Sequence, residues 1–163
     1  MTICNINEFL KEIFFDKKIM SLDIGSKNFG IAFSDPQRKF TLPHKVLIKK
    51  KGLFREILNI ILEYEIIGLI VGLPLNDNNT ENKKCQSIKD ITKQLDFFFI
   101  ENKLLIPICF WDESYSSESA KDKIKLIFTT TIKQKKKLDK YAASEILQDF
   151  LDYYNLRKNE QKE

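Results

Sequence analysis

The chain has 163 residues, the size of one domain, and its 43% apolar and 31% charged content is that of a soluble globular protein able to bury a core. No run approaches the ~18 apolar residues that would span a bilayer. The start, Met1 to Leu10, lacks the basic opening and long apolar stretch of a secretory signal, so a cytoplasmic location is expected. Three scattered cysteines, Cys4, Cys85 and Cys109, form no CxxC pair, and the single histidine, His44, removes most Ser-His, Cys-His and His-ligated metal mechanisms. Acid-base or metal chemistry must therefore run on carboxylates. The net charge of +4 is a mild excess that suits a polyanionic partner.

In chain order, apolar residues at helical spacing (Ile6, Phe9, Leu10, Ile13, Phe14) predict a leading helix from Ile6 to Phe15, with Asn5 or Asn7 as its cap. Lys18 to Ile24, Asn28 to Ser34 and Phe40 to Lys49 read as three strands joined by short turns, an antiparallel meander whose third strand is an edge interrupted by Pro43. From Gly52 to Glu65 the period becomes helical. Ile66 to Gly72 is a short apolar run suited to a strand covered on both faces, and it leads into a polar loop, Leu73 to Thr80.

A helix over Glu81 to Phe99 and a strand over Leu104 to Trp111 follow, the strand running into Asp112-Glu113-Ser114. A helix is predicted over Ser116 to Phe128, a mobile loop over Thr129 to Lys137, and a last helix over Leu138 to Tyr154 with Ala142, Ala143, Ile146, Leu147, Phe150 and Leu151 on its buried side. The whole, 1–163, reads as one domain: residues 1–17 a leading segment, a core over about 18–154, and a disordered tail over 155–163. The expected fold class is α/β, a mixed sheet of five strands (a meander of three plus two parallel) with helices on both faces.

Three acids occupy unlike positions: Asp23 inside the first strand, Glu113 just past the last strand and Asp139 at the start of the final helix. An acid within an apolar strand is costly to bury without a cation beside it. Converging carboxylates repel one another unless divalent cations neutralise them, and hard oxygen ligands select Mg²⁺ or Mn²⁺. Two such ions about 4 Å apart would activate water and stabilise the leaving oxygen in phosphodiester hydrolysis. On residue type alone, a capping role stands beside the ligand role for Glu113 and Asp139. The run Lys133, Lys135, Lys136 and Lys137, directly before Asp139, suits phosphate contact, whereas Lys49 to Lys51 serve equally well as a solvated face.

Asp23-Ile24-Gly25-Ser26-Lys27 with Gly30 to Asp35, then Val71-Gly72-Leu73-Pro74-Leu75-Asn76, Asp112-Glu113-Ser114, and Asp139 with Ala142-Ala143 and Ile146-Leu147-Gln148, together resemble the YqgF/RuvX family over Ile19 to Asp152. Members have an RNase H-like fold and are described as Holliday junction resolvases or as nucleases maturing the 5′ end of pre-16S ribosomal RNA. The resemblance implies that Asp23, Glu113 and Asp139 are the metal-binding catalytic acids. It sets Gly25, Gly72, Pro74 and Asn76 in loops beside the site, and gives Lys27 and the lysine-rich segment to backbone phosphate. Ser114 stands where the family usually has Arg, which removes one expected cation.

The activity so implied is 5′-end processing of pre-16S rRNA during ribosome biogenesis. The substrate would be structured RNA, with branched DNA as the alternative, and the chain a monomer or homodimer free of membranes and associated with a pre-ribosomal particle. The alternatives are resolution of Holliday junctions and a non-catalytic RNA-binding assembly factor. A nucleotide-binding ATPase of the actin type, whose phosphate loop shares the pattern Asp23-x-Gly25-x-x-x-x-Gly30, would need a second such domain that the length does not provide.

Overall fold

Strict alternation along the β1 strand (Met20–Ile24) sends Met20, Leu22 and Ile24 to one side and Ser21 and Asp23 to the other, and the rest of the chain sorts itself onto these two faces. The structure is a computed structural model that describes the chain except residues 14–15, 77, 79, 113–131 and 163, with the main chain alone for 132–140. With β2 (Asn28–Ser34), β3 (Thr41–Ile48), β4 (Leu69–Leu73) and β5 (Ile108–Asp112), β1 forms a five-stranded sheet of order β3-β2-β1-β4-β5. The first three strands are an antiparallel meander, and β4 and β5 add parallel to β1. Pro43 lies on the edge strand, where its missing N–H costs no ladder bond, close to a register shift between Ile31 and Ala32.

Helices α2 (Leu53–Glu63) and α3 (Lys83–Glu101) cover the face that carries Met20, Leu22, Phe29, Ile31, Val71 and Ile108. Helices α1 (Ile6–Glu12) and α4 (Ile132–Glu160) cover the other, where Phe9 and Ile13 meet Ile19, Ala32, Ile70, Cys109, Ala143 and Phe150. The cap of α1 is Asn5: its side chain accepts from the Glu8 amide while the Glu8 carboxylate accepts from the Asn5 amide, both at 3.0 Å. Upstream of α1, Thr2 to Cys4 lie beside β5 through a parallel bridge from Ile3 to Ile108, a pairing without a period to announce it. The buried Asp96 carboxylate fixes this segment by accepting from both the amide and the hydroxyl of Thr2.

Two expectations are corrected. The loop predicted over Thr129 to Lys137 is helical from Ile132 onward, so Lys133, Lys135, Lys136 and Lys137 stand on the first turns of α4. The residues expected as a disordered tail from 155 remain in α4 to Glu160, held by the Arg157 guanidinium, which donates to Asn7 at 3.0 Å and to the Tyr153 hydroxyl at 2.9 Å. The helix predicted over Ser116 to Phe128 lies outside the described residues.

Strands β4 and β5 begin later than their apolar runs. The first apolar residues after α2 and α3 close the helices: the Ile66 amide donates to Ile61 O at 3.0 Å and the Leu104 amide to Phe99 O at 2.9 Å. The left-handed residues these closures require are Glu65 (φ 53°) and Lys103 (φ 60°), where glycine is the usual occupant. Replacing the exposed Lys103 with Gly is expected to raise stability by about 1 kcal/mol, seen as a higher urea midpoint at constant m-value.

Candidate active site

Asp23 is the penultimate residue of β1, half-buried on the α4 face. Its cross-strand partner is Gly30 of β2, and the parallel register Leu22↔Val71, continued by one residue, sets Gly72 of β4 level with it on the other side. Within the sheet the carboxylate is thus flanked on both neighbouring strands by positions without side chains.

The turn Gly25 to Lys27 closes this end. The Gly25 amide donates to Asn28 O at 2.9 Å, and a Cβ at Gly25 would stand 2.6 Å from that same oxygen, so the turn admits glycine on steric grounds. Lys27 is exposed at its tip, and its carbonyl accepts from the Lys49 amide at 2.8 Å, which ties the turn to the end of β3.

Beyond Gly72, the Pro74 carbonyl accepts from Asn82 Nδ2 at 3.0 Å and from Cys85 Sγ at 3.3 Å. Asn76 accepts from Asn82 Nδ2 at 3.1 Å and donates to Thr80 Oγ1 at 3.0 Å. Asn82 also caps α3 by accepting from the Cys85 amide at 3.0 Å, so the loop after β4 and the start of α3 form one hydrogen-bonded unit.

Helix α4 approaches β1 closely through small residues. Ser21, two residues before Asp23 on the same face, donates its hydroxyl to Ala143 O at 2.6 Å, and both residues are fully buried. The main chain at Asp139 lies one turn before Ala143. Glu113 immediately follows β5 in sequence and lies outside the described residues. Among the described residues no three His, Cys, Asp or Glu side chains converge as a metal cluster.

A fourth carboxylate escaped the sequence reading. Asp149 on α4 accepts from Trp111 Nε1 at 2.8 Å, and Trp111 stands two positions before Glu113. Burial pushes the Asp149 carboxyl above its ordinary range; the Trp111 hydrogen bond opposes this, while the charges of Asp152 and Asp112 add to it. Its signal in the sequence was an acid set into the apolar stripe between Ile146 and Phe150. Cys109, buried beneath α4, has its thiol pushed up to about 12 by burial and stays neutral.

The topology and the acid at the end of β1 define an RNase H-like fold. Thermus thermophilus RuvC, solved with a Holliday junction substrate, shares it with a TM-score of 0.55 over 86% of this chain and 96% of its own, at 9% identity.

The chain belongs to the RuvX family, described as Holliday junction resolvase, whose family model matches residues 17–153. A relative from Syntrophomonas wolfei named "Putative pre-16S rRNA nuclease" is 37% identical over 146 residues, covering 87% of this chain and 99% of its own. One of the same name from Wolbachia pipientis wMel is 35% identical over 159 residues, covering 94% and 97%.

Because the folded-state pKa of Asp149 is raised, its contribution to stability is complete below the unfolded value of 3.8 and is lost as pH rises through the folded value. Asp149→Asn keeps an acceptor for Trp111 and removes that loss. Its melting temperature relative to the parent is expected to climb between about pH 4 and pH 7, as thermal denaturation across that range would show.

Proposed function

We propose that this protein is a divalent-metal-dependent endonuclease acting on the 5′ end of pre-16S rRNA in the cytoplasm, with Asp23, Glu113 and Asp139 as its metal-binding catalytic acids. The observation that carries the reading is the position of Asp23, a half-buried carboxylate between two glycine positions at the strand ends, beneath the N-terminal half of α4.

Helix α4 runs antiparallel to β1, since Ala143 meets Ser21 while Tyr154, further along, meets Arg38 beyond the opposite end of the strand pair. Two residues of strand advance about 6.6 Å and four of helix about 6 Å. From the Ser21–Ala143 contact, these steps bring the main chain at Asp139 level with Asp23. Trp111 shares this face, which supports placing the acid that follows β5 beside the other two.

An all-oxygen donor set fits Mg²⁺ or Mn²⁺. When bound, such ions would activate water and stabilise the leaving oxygen. The chain's own contributions are to hold Asp23 rigidly through the paired strands, and to offer phosphate the ammonium groups of Lys27 and of Lys133, Lys135, Lys136 and Lys137. Gly25, Pro74 and Asn76 keep the two loops compact at the edge of the site, whereas Gly72, expected in a loop, lies inside β4 beside Asp23. The names of the relatives support ribosomal RNA over branched DNA as substrate. Among the described residues no helix is long and apolar enough to cross a membrane.

The test is cleavage of labelled 16S precursor RNA, and separately of a four-way DNA junction, in Mg²⁺, Mn²⁺ and EDTA. Metal-dependent cutting of the RNA is expected, lowered more than about 100-fold in Asp23→Asn, since loss of even an outer partner of a metal site costs up to that much. Folding of the variant is expected to be intact in metal-free buffer. Cutting of the junction alone would transfer the activity to DNA, and salt-sensitive binding without cutting of either substrate would make the chain an assembly factor.

A further inference from the structure

The first turn of α2 stands against the later turns of α3, and an open groove of about 880 Å³ runs from there to Lys83, at the start of α3 beside the turn after Asp23. It continues into a second depression against the turn, with Lys49, Lys83, Ser87 and Ile91 common to both. The floor is apolar, formed by Phe29, Leu53, Phe54, Ile91 and Phe98. The Phe54 and Phe98 rings lie 5.9 Å apart, and the Arg55 guanidinium covers Phe98 with its central carbon 5.0 Å from the ring centroid.

The walls are cationic, with Lys27, Lys49, Lys50, Arg55, Lys83 and Lys84 set against one acid, Asp90, which accepts from Gln86 Nε2 at 2.9 Å. Gly52, which lines the groove and starts α2, has open space where a Cβ would stand, and the α2 N-terminus carries no side-chain cap. Apart from Lys27, none of this belongs to the carboxylate site, which faces the other side of the sheet.

We infer that this groove is a binding track for a single strand of RNA, leading over the Gly25 to Lys27 turn to Asp23. Charge complementarity selects the occupant: a polyanion meets the lysine walls, and the Arg55–Phe98 platform accepts the face of an unstacked base. The elongated, two-chambered shape suits successive nucleotides of a strand, and the Arg55–Phe98 platform favours bases that are not already stacked in a duplex. The inference rests on the nuclease reading for what lies at the end of the track, and its test does not use cleavage.

The probe is a fluorescein-labelled, unstructured twelve-residue oligouridylate, read by anisotropy with the Asp23→Asn chain in metal-free buffer at several salt concentrations. Replacing Lys49, Lys83 and Lys84 together with Ala is expected to weaken binding at least about tenfold and to lower the salt slope by about 2, the share of three phosphates on single strands. Phe98→Leu is expected to weaken binding while leaving the slope unchanged. The inference is overturned if the parent does not bind the probe, or if the folded lysine variant binds it with the same affinity and slope. It is equally overturned if the lysine substitutions instead dissociate a dimer in sedimentation or abolish binding of an acidic protein segment. Loss of the groove result leaves metal-dependent cutting to stand, and absence of cutting leaves the groove measurement to stand, so the two readings fail separately.

Discussion

The close approach of α4 to β1 is the contact on which the site depends. A helix can come within hydrogen-bonding range of a strand only where side chains are small, and Ser21, Ala32 and Ala143 provide that gap at the centre of the sheet. Thr41 and Ser144, with hydroxyls 2.7 Å apart, repeat the contact two strands over, on β3. At the far end of α4, Arg38 acts as a clamp: it is buried, its Nη1 donates to Ile13 O at 2.7 Å and to the Tyr154 hydroxyl at 3.1 Å, and its Nε donates to Lys17 O at 3.2 Å. The left-handed backbone of Arg38 (φ 59°) is a local cost, offset by joining α1, the meander and α4. With its direction and its register both fixed, α4 has a set position where it passes the end of β1.

That arrangement gives the two faces of the sheet different chemistry. On the α4 face, glycines flank an acid at the strand ends, and the strand beside them is braced by Trp111, which donates to Asp149 and packs edge-on against Phe150 with centroids 5.4 Å apart. On the α2/α3 face, lysines surround an apolar floor that includes the Phe54 and Phe98 rings. Among the described residues the Gly25 to Lys27 turn joins the end of β1 to the groove, and its compact geometry is closed by the Gly25 amide on Asn28 O.

The meander, the later parallel strands and the acid on β1 were legible in the sequence because each rests on a local pattern: alternation, short apolar runs and a glycine turn. The start of α4 was not. Ile132 to Lys137 shows no apolar period, yet lysine and glutamine are good helix formers, so the helix runs through it all the same. The tail was misread for a related reason, since Arg157 orders it through one contact to Asn7, far away in sequence. Asp149, Arg38 and the groove share this character: each is made by residues that only the fold brings together, whereas periodicity reports one element at a time.

The central claim, a cation held at Asp23 beneath α4, is most directly tested by titrating substoichiometric Mn²⁺ into isotope-labelled protein and following paramagnetic broadening of the amide resonances. The account predicts that Gly25, Gly30 and Gly72 broaden first and that Asp23→Asn removes the effect. Broadening centred elsewhere, or unchanged in the variant, would contradict it.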